Sequence, residues 1–139
     1  MEPLYYALAF ILGIITDIII HYVKKKIDYK LEREKTKQQR KDDLIRWLLT
    51  LHSTWEILKD LENNLDITSE IITYIKEANN YLASFTVYAN TPERKICIEL
   101  QKTLNELGKT VTTKPLNKNK VNKILEKLIT KINKLQKIT

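Results

Sequence analysis

The sequence predicts an all-α protein with one N-terminal transmembrane helix, a charged helical stalk and a small antiparallel helical bundle. Three observations carry this reading. Only two glycines (Gly13, Gly108) and three prolines (Pro3, Pro92, Pro115) occur in 139 residues, where average usage would give about ten and seven. The twenty-residue run 4–23 holds a single formal charge, Asp17. From residue 42 onward, apolar residues recur every three to four positions. The scarcity of glycine and proline excludes a turn-rich β-sandwich or barrel, and two distant glycines exclude a glycine-rich phosphate loop.

The first element is the apolar run. Twenty residues at 1.5 Å each make about 30 Å of helix, the thickness of a bilayer core. Eleven of the twenty are Leu, Ile, Phe or Val. On an insertion scale they contribute about −3 to −7 kcal/mol together, against roughly +3 for a mid-membrane Asp. Tyr5 and Tyr6 at one end and Tyr22 at the other suit the two interfacial belts. A cleaved signal peptide would carry its basic residues before the run, whereas here Lys24, Lys25 and Lys26 follow it.

Charge then sets an orientation. Residues 24–41 hold nine basic and three acidic residues, while residues 1–23 hold no Lys or Arg. Positive flanks stay cytoplasmic, so the expectation is a single-pass protein of the cell membrane with its N-terminus outside and residues 24–139 in the cytoplasm. Within the span, Ala9, Gly13, Asp17 and His21 recur every four residues with Thr16 alongside. Small residues let helices approach and polar ones bond across the contact, so this face is a candidate interface with a second copy or another membrane protein.

The stalk, 24–41, has no glycine or proline. Lys24/Asp28, Lys30/Glu34, Glu32/Lys35 and Glu34/Lys37 sit at helix-supporting spacings. A helix polar all round reads as a solvated bridge. Its Lys24, Lys25 and Lys26 are candidates for contact with anionic lipid headgroups.

Four amphipathic segments follow, expected as helices over about 43–62, 67–89, 92–107 and 119–137. The first stripe is Leu44, Trp47, Leu48, Leu51, Trp55, Leu58, Leu61 and Leu65, with Asp42 or Asp43 near its start and a break at Asn63–Asn64. Asp66 is the expected cap of the second, which runs Ile67, Ile71, Tyr74, Ile75, Ala78, Leu82, Phe85 and Tyr88. Thr91 reads as the N-cap of the third, with Pro92 at its first position. Ile96, Leu100, Leu104 and Leu107 form its stripe, and Gly108 reads as its end. The fourth, after a loop at 109–119, carries Val121, Ile124, Leu125, Leu128, Ile132 and Leu135. About 98 residues (42–139) suffice for one buried core.

That last segment also bears a ridge of Lys120, Lys123, Lys127, Lys131, Lys134 and Lys137. A polyanion surface is one use for it, and a solvated face partly neutralised by the acidic 42–113 block is the other. No Arg follows Arg94 and no aromatic interleaves the lysines, which disfavours nucleic acid and leaves anionic lipid as the candidate polyanion.

No segment carries a family motif. A lone Cys97 and two distant histidines offer no metal or nucleophile constellation. His52 and Glu56 make one isolated pair. The expectation is therefore a non-enzymatic membrane anchor or adaptor, without cofactor or metal, whose partners are the bilayer and another membrane protein or itself. The alternatives are a peripheral polyanion binder through the lysine-rich helix, or an accessory subunit of a membrane channel, transporter or lytic complex.

Overall fold

The structure is a computed structural model that describes residues 2–60 and 64–138, with backbone alone for 64–66. Among the described residues there are four helices and no strand: α1 (Glu2–Leu58), α2 (Asn64–Thr86), α3 (Thr91–Thr112) and α4 (Lys118–Lys137). The chain divides into two units, residues 1–36 and residues 37–139.

In the first unit α1 is a single exposed helix whose apolar side chains meet no other part of the chain. None of the four stalk pairs expected from spacing closes to an ion pair. Such pairs contribute only a few tenths of a kcal/mol in water, roughly what fixing two long side chains costs.

The second unit is a ring of four helices closed by contacts between neighbours. Trp47 of α1 stacks on Tyr81 of α2, with ring centroids 5.4 Å apart, and meets Tyr74 at 6.0 Å. Thr68, early in α2, donates to the carbonyl of Val111, late in α3 (3.2 Å). Lys131 of α4 reaches Glu99 of α3 at 3.4 Å, and Lys127 reaches Glu106 at 3.9 Å. Trp55 Nε1 donates to Asn122 Oδ1 at 2.6 Å, and Lys41 Nζ donates to the Ile138 carbonyl at 2.6 Å. Along α2/α3, α3/α4 and α4/α1, rising numbers on one helix meet falling numbers on the next. The neighbours are therefore antiparallel, as short connections require.

The periodic stripes supply the core. Leu44, Leu48, Leu51 and Trp55 of α1 are fully buried, as are the predicted apolar positions of α4. Each such side chain stabilises the fold by about 1.5–3 kcal/mol. Trp47, Leu58, Tyr74 and Tyr88 sit half-buried at the rim. Ile45, Ala89, Cys97 and Val111 join the core beyond the expected set. The expected core positions Leu61 and Leu65 fall outside the described side chains, as does Asn63; α2 is already helical from Asn64, so the expected break does not include Asn64 and Asp66 lies inside the helix instead of capping it.

Several boundaries differ from the expected ones. No helix begins at 42 or 43: α1 passes through, with Gln38 bonded to Asp42 and Asp43 to Arg46 within it. The α3 helix does not stop at Gly108 but runs to Thr112, and no glycine has positive φ. Val111 explains this. It continues the Leu104–Leu107 phase into the core, and its burial outweighs the roughly 1 kcal/mol that glycine costs a helix. The N-cap of α3 is Asn90 and not Thr91, because Asn90 Oδ1 accepts from the Glu93 amide while Glu93 Oε1 accepts from the Asn90 amide, both at 3.0 Å. This reciprocal capping box satisfies two backbone donors that the Thr91 side chain would leave open. The second helix ends at Thr86, three residues early, in a turn closed by Tyr88 N–H to Phe85 O at 2.9 Å.

Candidate functional sites

The first candidate lies in the unit 1–36. An 18-residue stretch of α1 reaches a mean hydropathy of 2.0, and none of it is buried inside the chain. By length and composition α1 is one candidate membrane-spanning helix near the N-terminus. Ala9, Gly13, Thr16, Asp17 and His21 are all exposed on it. Thr16 satisfies its hydroxyl by donating to the Leu12 carbonyl at 2.8 Å. Asp17 and His21 have no hydrogen-bond or ion-pair partner among the described residues. Nothing lies within 4 Å of the place a Cβ on Gly13 would occupy. Lys24, Lys25 and Lys26 are likewise exposed.

The second candidate is the lysine ridge of α4. The structure divides it. Lys127 and Lys131 face α3 and pair with Glu106 and Glu99, and Lys131 is half-buried in doing so. Lys120, Lys123, Lys134 and Lys137 are exposed, with no carboxylate within ion-pair distance among the described residues. The ridge is thus part bundle seam and part free cationic face.

A third arrangement escaped the sequence reading. Glu93, only 2 % exposed, sits where α3 begins and gathers two lysines from α1. Lys37 Nζ lies 2.6 Å from its Oε1 and Lys41 Nζ lies 3.6 Å from its Oε2. Lys41, itself 6 % exposed, also donates to the backbone carbonyl of Ile138 at the end of α4. Burial by itself would push the Glu93 carboxyl up. The hydrogen bonds from Lys37 and from the Asn90 amide, with the two nearby ammonium charges, outweigh it and hold the group below its ordinary value. One carboxylate therefore completes the cap of α3, pairs with two lysines and ties α1 to α3, while Lys41 ties α1 to α4. These lysines belong to the stretch read as solvated stalk, and the compact unit accordingly begins at Lys37. A sequence signal existed in part, since Asn90 followed by Glu93 is a capping-box spacing.

The remaining reactive groups are built into the fold. Burial pushes the Cys97 thiol up, a hydrogen bond with Thr86 pulls it down, and the Glu93 charge raises it again, so its net shift is upward. A raised, buried thiol is a poor nucleophile. His52 stands 3.9 Å from Glu56, which makes a closer contact of 2.6 Å with Lys59. No group of three His, Cys, Asp or Glu side chains suited to a metal ion occurs among the described residues.

Two open grooves mark the bundle surface. One, of about 1000 Å³, runs along α1 past Ile45, Leu49 and Ile57 to Gln136 of α4 and Ile138 just beyond it. The other, of about 560 Å³, lies between α2 and α3, with Val87 and Ile98 at its edges. Comparison with protein families, with curated proteins and with solved structures finds no match.

Proposed function

We propose that this chain is a single-pass protein of the cell membrane that anchors a helical bundle on the cytoplasmic side and acts there as a non-enzymatic adaptor. The observation that carries the reading is the apolar stretch of α1, which the chain itself leaves wholly uncovered. Uncovered apolar surface of that extent calls for lipid or a partner. Lys24, Lys25 and Lys26 directly after it supply the orientation, since basic flanks are retained in the cytoplasm. Four helices around one apolar core, with exposed Leu49, Ile57, Val87 and Ile98, offer contact surface.

The test is topology. In intact cells, protease added outside should leave the 37–139 bundle undigested, and permeabilised cells should lose it. Digestion from outside would refute the orientation. Recovery of the whole chain in the soluble fraction would refute the anchor.

The free part of the α4 ridge supports a second reading, contact of the bundle with an anionic lipid surface through Lys120, Lys123 and Lys134. That reading requires salt-sensitive co-sedimentation of residues 37–139 with anionic vesicles, and reversing those three charges should abolish it.

A further inference from the structure

We infer that α1 pairs with the α1 of a second copy of this chain across the face bearing Ala9, Gly13, Asp17 and His21, each Asp17 bonding to the His21 of the other copy. The inference rests on the reading of 4–23 as a membrane span. It identifies the occupant of the face that reading leaves open.

The argument starts from two groups without partners. Asp17 and His21 lie one helical turn apart on one side of an apolar helix, and neither has a partner within its own chain. Ionisable side chains in a bilayer turn to a partner and pair there. Thr16, by contrast, has already turned its hydroxyl to the Leu12 carbonyl and needs none. The choice of a second copy follows from charge and topology. Every copy inserts the same way round, so two such spans meet in parallel. A parallel twofold pair sets residue i against i and against its neighbours one turn away. The carboxylate at 17 then finds the imidazole at 21 twice, by symmetry. The face is complementary to itself, and a foreign span would have to present a matching carboxylate and imidazole in the same order.

Backbone geometry permits the approach. Residues spaced by four form the row that right-handed helix crossings use, at about −40°. Gly13 stands in that row, next to Asp17. Nothing within 4 Å of its missing Cβ obstructs a neighbouring backbone.

Complementation provides the test, with full-length chain in lipid vesicles and donor- and acceptor-labelled copies mixed. The wild-type chain should show energy transfer that unlabelled chain competes away. Asp17→Leu and His21→Leu should each weaken self-association at least tenfold. A mixture of the two variants restores one Asp17–His21 bond between copies, so it should associate at least threefold better than either variant alone. A bond within one helix cannot produce that rescue. Wild-type chain that stays embedded but shows no transfer would overturn the pairing while leaving the span intact, as would a mixture no better than its components. Chain that washes off the vesicles in alkaline carbonate would overturn the span, and the pairing with it.

Discussion

Glu93 joins three contacts on one side chain, to Lys37, to Lys41 and to the Asn90 amide. Replacing it with Ala removes the reciprocal half of the capping box, leaves Lys41 buried without its counter-charge and frees Lys37. A loss of about 3–5 kcal/mol in unfolding free energy is expected, as for removal of one partner from a buried ion pair. Chemical denaturation of the full chain in detergent measures it. The pH dependence has a definite sign. The folded carboxyl titrates below its ordinary value of 4.5, so its stabilisation is fully present above that value. It is lost as pH falls from about 4.5 through the lower, folded value. The wild-type melting temperature should drop over that interval, whereas Glu93→Gln should start lower and change less. Equal acid slopes for the two proteins would show that the carboxylate contributes nothing. This cluster was hidden in the sequence for a physical reason. Lys37 and Lys41 are chemically the same as the exposed lysines around them, and their partner lies more than fifty positions on. Only tertiary packing distinguishes them.

At the scale of elements, periodicity was the readable quantity and punctuation was not. Every predicted apolar position of α4 is buried, because its stripe is regular and its polar face is unbroken. The third helix shows the opposite. Gly108 looks like a stop, yet Val111 beyond it finds a place in the core and the helix continues. This yields a prediction contrary to the sequence reading. With negative φ and nothing within 4 Å of an added Cβ, Gly108→Ala should stabilise the chain by about 1 kcal/mol. A glycine ending the helix in the left-handed conformation would instead make the same change destabilising. The sign of the shift in denaturation midpoint separates the two. Side-chain choices at helix starts follow the same rule. Asn90 and Thr91 are both good caps, and the reciprocal bond to Glu93 selects Asn90.

For the molecule as a whole, composition was enough to exclude β architectures and to single out the apolar stretch 4–23. It did not locate the edge of the compact unit, since residues 37–41 look no different from the rest of the polar stalk. A chain beginning at Lys37 should therefore melt cooperatively. One beginning at Asp42 lacks both lysines that meet Glu93 and should melt at a clearly lower temperature, by roughly 10 °C or more if about 3 kcal/mol is lost. Circular dichroism on the two fragments decides it, and equal midpoints would place the edge at 42. The placement of Lys37 and Lys41 has a mechanical consequence. Tension entering the bundle along α1 arrives first at Lys37, clipped to the start of α3, and one turn later at Lys41, clipped to the same carboxylate and to the end of α4. A pull entering the bundle along α1 meets these clips before it meets Leu44, the first leucine of the core. The charged cluster is thus the bundle's strain relief.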